Sequence, residues 1–245
     1  MNIFKPPIKN AISMKRRFWQ YHLIITGILF IFFTSCKKTP PEVFPNTVTD
    51  YDGNVYHTLQ IGHQTWMLEN LVVTHYRDGT LIPNIQDSIQ WGEQTTGAYC
   101  FYTDSSYNII NYGLLYNWYA ASDTGIAPIG FHVAADSDWA VLVNYLGGYT
   151  IAGGEMKTTD TTFWFTPNDA DTANYSGFNA IPCGYRSLIT TDSAYQSLNY
   201  GGYWWSVTSV NAMQSSYWYI YDSSTAIYTG VLDDRWGLGI RCVKN

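Results

Sequence analysis

Helical periodicity is clearest over residues 136–146. Apolar residues there recur at intervals of three and four positions, which places them along one face of a helix. They are Trp139, Leu142, Val143 and Leu146. Asp136 precedes them as a predicted N-cap, and Gly147-Gly148 is expected to end the helix in a left-handed turn. Residues 112–121 carry a second pattern of this kind, so the sequence predicts two main helices.

Short strands are predicted on both sides of these helices. Asp52-Gly53 is a turn signal between two short runs that favour strands, which indicates an opening hairpin. A second turn at Gly62-His63 leads into a further strand. Toward the end of the chain, the strand candidates are residues 203–207, 217–222, 227–232 and 237–243. Two main helices with short, mostly antiparallel strands and long loops predict an α+β domain.

Aromatic residues are concentrated in the C-terminal strand candidates. Over residues 217–221, alternation places the three tyrosines on one face of a strand, and Trp218 and Ile220 on the other. Because one face must be core, the opposite face can present rings to the apolar sides of sugars, and exposed aromatic patches often mark interaction sites. The candidate ligand-binding residues are Trp204, Trp205, Trp218, Tyr219 and Trp236. The alternative is that most of these rings pack in the core.

The N-terminal segment has the pattern of a bacterial lipoprotein signal peptide. The basic run Met14-Lys15-Arg16-Arg17 precedes an apolar stretch at residues 23–33, and two small residues stand just before Cys36. The apolar stretch is shorter than the ~20 residues that span a bilayer. We therefore expect residues 1–35 to be removed and Cys36 to carry acyl chains such as palmitate. The alternatives are an uncleaved membrane anchor and a buried apolar helix.

The domain organisation follows from this leader. Residues 36–46, which hold three prolines, are predicted to be a lipid-anchored linker, and residues 47–245 to be one domain. Either Met1 or Met14 is the start of the leader. Membrane attachment is expected through the lipidated Cys36. The predicted location is the outer membrane, and the residues after the cysteine leave both the periplasmic and the surface face open.

Charge argues against nucleic acid as a partner. The chain has a formal net charge of −6, and residues 1–35 hold five of its basic residues and no acid, so the rest carries −11. Phosphate backbones and anionic lipid surfaces both attract basic proteins. The partners that fit this composition are a glycan or a protein of the cell envelope.

Residues with catalytic or metal-binding chemistry are scattered. The sequence contains neither an HExxH metal motif nor a GxSxG nucleophile motif, so no enzyme activity and no cofactor are predicted. Asp169 and Asp171 lie in an oxygen-rich run that could ligate a cation, although a solvated polar loop is the simpler interpretation. Three cysteines besides Cys36 allow one disulfide and one buried thiol.

Stretches throughout the domain, taken in order, resemble the Fibrobacter succinogenes major paralogous domain, which occurs in many lipoproteins of the Bacteroidetes and Fibrobacteres. Among them are IGHQTWMLENL at residues 61–71, YGLLYNWYA at residues 112–120 and GFHV at residues 130–133. The others are residues 52–56, 138–139, 176–178, 184–186, 203–206 and 240–243. The resemblance implies a C-type-lectin-like fold, distantly similar to the formylglycine-generating enzymes. The family has no established activity to carry over.

Two departures from the family pattern concern its cysteines. Family members often carry cysteine where this chain has Ala127, and Cys183 stands where glycine is common. The resemblance therefore implies that the usual partner of Cys242 is missing. Either Cys183 or Cys100 would then take its place in a disulfide with Cys242.

We expect a cell-envelope lipoprotein that displays a non-catalytic domain for binding a glycan or a protein. One alternative is an oxidase of the formylglycine-generating kind, which would use copper, oxygen and paired cysteines. Cys242, however, has no neighbouring thiol in the sequence. The other alternative is a purely structural surface module.

Overall fold

The computed structural model describes residues 46–102, 111–160, 162–165, 174–189 and 194–245. All of them belong to Pro40–Asn245, the second of two units into which the chain divides. The predicted signal peptide, Cys36 and all but the last residue of the predicted linker lie outside the described residues. So do Asp169 and Asp171. Within the described ranges, no helix has the length and apolar character needed to cross a membrane.

Strands make up most of the described structure. The strands are β1 (Asn46–Thr49), β2 (Val55–Ile61), β3 (Gln64–Met67), β4 (Tyr99–Cys100), β5 (Leu115–Tyr116), β6 (Phe131–Val133), β7 (Cys183–Arg186), β8 (Tyr195–Leu198), β9 (Gly201–Asn211), β10 (Gln214–Tyr221), β11 (Ile227–Asp233) and β12 (Cys242–Lys244). The helices are α1 (Ser88–Gly92), α2 (Trp118–Ala121), α3 (Asp136–Tyr145) and α4 (Ala152–Met156).

The fold is mostly β, so the predicted α+β class with two main helices was wrong. Strands account for 37% of the described residues and helices for 15%, and the curled sheets form half-barrels. Helix α3 is present at the predicted place and buries Trp139, Leu142 and Val143, but it has only 10 residues, and its N-cap is Ala135 and not the predicted Asp136. Gly147 and Gly148 follow it with φ of +99° and +94°, which confirms the predicted left-handed ending.

The predicted helix over residues 112–121 does not form. Residues Leu115–Tyr116 are a strand instead, because the backbone of Tyr116 exchanges hydrogen bonds with Leu238, at 2.8 and 3.0 Å. A short helix, α2, begins only after Asn117, whose side chain accepts from the N–H of Ala120 at 3.0 Å and caps it. Long-range backbone pairing therefore overrides the local helical spacing.

Two five-stranded sheets carry the architecture. The first sheet has the order β1-β2-β3-β12-β6, and every pairing in it is antiparallel. The turns at Asp52-Gly53 and Gly62-His63 join its first three strands, as predicted. The second sheet has the order β11-β10-β9-β7-β8, with one parallel pairing between β7 and β9. A small third sheet pairs β4 with β5.

Helix α3 packs its apolar face against one face of the second sheet. The Trp139 ring lies 6.0 Å from Trp218 of β10 and 5.9 Å from Trp204 of β9, measured between ring centroids. All three indoles are at most 2% exposed. Burial of such large rings contributes about 1.5–3 kcal/mol each to folding. The opposite face of the same sheet carries Tyr203 and Trp205, which are buried in the other large core cluster, and it is partly exposed at β10 and β11.

Arg241 is a buried guanidinium that ties several backbone segments together. It donates to Asn70 Oδ1 at 2.7 Å and to the carbonyl oxygens of Met67, Phe178 and Asn179 at 3.0, 3.1 and 3.0 Å. Burial lowers the pKa of Arg241 to about 10. Its hydrogen bonds link the end of β3 to the loops before β7 and fix the start of β12.

Candidate binding surface

Strand β10 separates its residues cleanly between two faces. Trp218 and Ile220 are 2% and 0% exposed, whereas Tyr217 and Tyr219 are half-buried and Tyr221 is exposed. Side chains alternate between faces along a strand, so the three tyrosines share the outward face. The alternation predicted from the sequence is confirmed.

Strand register brings tyrosines from neighbouring strands to the same face. Tyr219 lies directly opposite Tyr203 of β9 on one side and Tyr228 of β11 on the other. Residues directly opposite in an antiparallel pair point to the same side of the sheet. With the adjoining rings, they form one aromatic cluster, which we call the tyrosine surface. Its members are Tyr185, Tyr203, Tyr217, Tyr219, Tyr221, Tyr228 and Trp236. Tyr203 is buried, at 5% exposed, and the other members are half-buried or exposed.

Four rings of the tyrosine surface overlap one another. The centroid of Tyr219 lies 5.2 Å from Tyr217, 5.6 Å from Tyr203 and 5.2 Å from Tyr228, with interplanar angles of 18°, 11° and 21°. Near-parallel rings this close cannot lie edge to edge in one plane, so they form offset stacks. Each stack is worth about 0.5–1.5 kcal/mol beyond the area it buries, and it holds the rings in place.

Other rings stand upright beside these stacks. Tyr221 meets Tyr219 at 76°, and Tyr185 meets Tyr203 at 76° with 4.8 Å between centroids. Trp236 lies 5.2 Å from Tyr185. The Tyr185 hydroxyl donates to Gln196 Oε1 at 2.8 Å, which fixes that ring as well. The surface is therefore built from rings that are positioned before any ligand arrives.

Two glycines make room for the tyrosine rings. A Cβ at Gly230 would stand 2.7 Å from Cε1 of Tyr217, and a Cβ at Gly201 would stand 2.6 Å from Cε2 of Tyr203. Real Cβ atoms essentially never approach other heavy atoms so closely. Glycine at these two strand positions therefore lets the rings lie close to the backbone.

The hydroxyls of Tyr203, Tyr217 and Tyr219 are neutral. Burial raises the pKa of Tyr217 to about 12, with neighbouring tyrosines as the further cause. Burial also raises the pKa of Tyr219 and Tyr203. These phenols remain protonated across the physiological range, so each can both donate and accept a hydrogen bond. The surface thus combines apolar ring area with uncharged polar groups.

Comparison with known families identifies the domain that carries this surface. Residues 59–244 match the family model described as the Fibrobacter succinogenes major domain. The chain belongs to this family. No curated protein and no solved structure matches the chain. The Fibrobacter succinogenes major domain of this chain therefore includes the whole tyrosine surface, and the C-type-lectin-like fold expected for it has no support from a related structure.

Some of the predicted ligand-binding residues lie in the core, and others lie at the surface. Trp204, Trp205 and Trp218 are at most 2% exposed and do not reach the surface. Trp204 and Trp218 lie on the inner face of their strands, and the Trp205 indole N–H donates to the Tyr116 carbonyl at 2.8 Å beneath a covering segment. Tyr219 and Trp236 are half-buried and belong to the tyrosine surface. Sequence analysis therefore missed most of the residues that the structure assembles there.

The described cysteines of the domain are not bonded to one another. Cys100, Cys183 and Cys242 are buried free thiols, and the described residues contain no disulfide. The predicted bridge from Cys242 to Cys183 or Cys100 is therefore not formed. Burial raises the pKa of all three thiols. In the described part of the chain, no group of three or more His, Cys, Asp or Glu side chains converges as a metal site.

Two clefts in the domain are lined by other residues. The larger, of about 410 Å³, is bordered by Asn54, Glu69 and Asn179 among others. The smaller, of about 280 Å³, lies beside Asp123 and His132. No member of the tyrosine surface lines either cleft. The tyrosine surface thus lies outside these two clefts.

Proposed function

We propose that the domain is a non-catalytic glycan-binding module, displayed at the cell envelope by a lipoprotein anchor at Cys36. The observation that carries the proposal is the tyrosine surface, a cluster of packed rings of which all but the buried Tyr203 are exposed or half-buried. Contiguous exposed aromatic area of this kind is typical of interaction sites.

The physical properties of tyrosine suit a sugar ligand. Its ring offers apolar area to sugar C–H groups, and its hydroxyl can donate to or accept from sugar hydroxyls. Tyrosine also loses little conformational entropy on binding because it has only two side-chain torsions. Here the stacks around Tyr219 restrict those torsions further. A ligand would therefore meet a rigid surface, which lowers the cost of ordering on binding.

The envelope location rests on the sequence. The basic run, the short apolar stretch and the cysteine at position 36 are the features of a lipoprotein leader. A stable anchor generally needs more than one acyl chain, and a lipidated N-terminal cysteine can supply several. Such an anchor would hold the domain where extracellular or wall glycans are encountered.

The burial of Cys242 favours a binding function over an oxidase activity. Cys242 is 0% exposed, and burial raises the pKa of its thiol. A reactive cysteine needs thiolate character and access to its substrate. The thiol of Cys242 has neither property, so the formylglycine-generating alternative is not favoured.

A glycan array tests the proposal directly. The full-length lipoprotein, solubilised in detergent, is applied with calcium and with a chelator. Saturable binding to at least one glycan is expected, and Tyr219→Ala should weaken it at least 10-fold because the central ring of three stacks is lost. Tyr145→Ala, which removes an exposed tyrosine of α3, is the matched control and should leave binding unchanged. A blank array in both arms would overturn the proposal.

A further inference from the structure

The rings of the tyrosine surface form a row that runs across the strands. Tyr228 lies 5.2 Å from Tyr219, Tyr219 lies 5.6 Å from Tyr203, and Tyr203 lies 4.8 Å from Tyr185. Trp236 continues the row, 5.2 Å beyond Tyr185. The row crosses β11, β10, β9 and β7. Tyr203, its member on β9, is only 5% exposed, so the rings that can touch a ligand lie on either side of it.

No charged side chain belongs to this row. Apart from burial, the groups that raise the pKa of Tyr219 are Tyr221 and Tyr228, and those that raise the pKa of Tyr217 are again tyrosines. Two arginines adjoin the row along the chain. Arg235 is engaged with Asp233 at 2.8 Å, and Arg186 is fully buried and donates to the carbonyl oxygens of Ile85 and Gln86. Recognition of carboxylates or sulfates relies on arginine and lysine donors. The row offers no such donor, and the chain as a whole is acidic, at −6.

The row also lies outside the two described clefts. Single sugars and chain ends are small ligands, which proteins usually hold in concave sites that cover most of their surface. A row outside a cleft can reach useful affinity only by adding weak contacts over several sugar rings, which a polymer provides and a monosaccharide does not.

We propose that the ligand of the tyrosine surface is an uncharged polysaccharide, recognised along its chain and lying across the strands from Tyr228 to Trp236. This inference rests on the proposed glycan binding and adds the charge, the length and the direction of the ligand. Rings at the two ends of the row then touch different sugars of one chain.

Affinity electrophoresis of the full-length lipoprotein in detergent tests charge and length. Gels containing xyloglucan or galactomannan, which are neutral, are compared with gels containing polygalacturonate or alginate, which are anionic. We expect retardation in at least one neutral gel and none in the anionic gels. Oligosaccharides cut from the polysaccharide that binds should compete more strongly as they lengthen, until they span the row. Equal retardation by anionic polymers, or full competition by the monosaccharide, would overturn the inference.

Variants at the two ends of the row test its direction. Tyr228→Ala and Trp236→Ala should each weaken binding of the retarding polysaccharide about 5- to 10-fold, as expected for the loss of one aromatic contact. A disaccharide that reaches only Tyr219 should still compete for each variant. Its affinity should fall less than the affinity of the polysaccharide does. Tyr145→Ala, on α3, is the control for loss of an exposed tyrosine. Unchanged affinity in both end variants refutes the row while glycan binding stands. No binding to any glycan refutes the proposed function and this inference with it.

Discussion

The ring of Tyr217 lies across Gly230, its direct partner on the neighbouring strand. A Cβ at Gly230 would come within 2.7 Å of the Tyr217 ring. Because the contact involves the far end of a side chain, the ring can swing away rather than break the sheet. The arrangement of the tyrosine surface therefore requires Gly230 more than the fold does.

Gly230→Ala should damage the surface while sparing the fold. The displaced Tyr217 ring leaves its stack on Tyr219, so glycan binding should fall about 10-fold. The free energy of unfolding should change by less than about 1 kcal/mol, because alanine recovers backbone entropy that glycine loses on folding. Affinity electrophoresis and urea unfolding measure the two effects. Gly92→Ala, where a Cβ meets open space, is the control, and unaltered binding in Gly230→Ala would contradict the prediction.

Arg241→Met should destabilise the domain strongly. The substitution removes the Arg241 donor from buried acceptors, and each such group left unsatisfied costs about 1–3 kcal/mol. They are the carbonyl oxygens of Met67, Phe178 and Asn179, whereas Asn70 Oδ1 keeps the Trp204 indole N–H as a donor at 2.8 Å. We expect a loss of about 3 kcal/mol or more in urea unfolding. Arg235→Met, which breaks the exposed pair with Asp233, should cost less than about 1 kcal/mol. Similar losses in the two variants would show that the buried network is not what stabilises this region.

Stability should rise with pH through the titration of Lys157. The side chain is buried, its ammonium donates to the carbonyl oxygens of Asp222 and Ser224 at 2.7 Å, and burial lowers its pKa from 10.5 to about 8. Between these two values the unfolded chain binds more protons than the folded one, so the free energy of unfolding increases with pH. The increase is at most about 1.4 kcal/mol per pH unit for one proton.

The comparison with Lys157→Met isolates this contribution. The free energy of unfolding of the natural chain minus that of Lys157→Met, measured by urea unfolding from pH 7 to pH 11, should rise with pH over the window from about 8 to 10.5. Lys244→Met, which removes an exposed lysine of β12, should keep the natural slope. Parallel curves for the natural chain and Lys157→Met would contradict the lowered pKa.

The thiols of the folded domain should be unreactive and unlinked. Cys100, Cys183 and Cys242 are buried, and burial raises the pKa of each. Iodoacetamide should modify none of them at neutral pH until urea unfolds the protein, since the thiolate is the reactive form. Ser209→Cys, at an exposed position of β9, should react at once. A peptide map that links Cys242 to Cys183 or Cys100 would contradict the structure.

The features predicted correctly depend on neighbours along the chain. The buried stripe of α3 and the glycines that end it follow from spacings of a few residues. The two faces of β10 follow from alternation alone. The prediction of a helix over residues 112–121 was wrong because the structure there depends on a contact between residues far apart in the sequence. The backbone of Tyr116 pairs with Leu238, far along the chain, and no local pattern encodes that bond.

The sequence by itself determined the family, the division of β10 into two faces and the concentration of aromatic residues in the C-terminal strands. Only the tertiary structure decided which rings meet. Tyr219 faces Tyr203 and Tyr228 because of the register of β9, β10 and β11, and a shift of one residue would have sent the tyrosines inward. Trp205 illustrates the same limit. Its strand position points it toward the tyrosine side, yet the segment around Tyr116 covers it completely. Burial is set by what packs above a residue, which spacing along one strand does not specify.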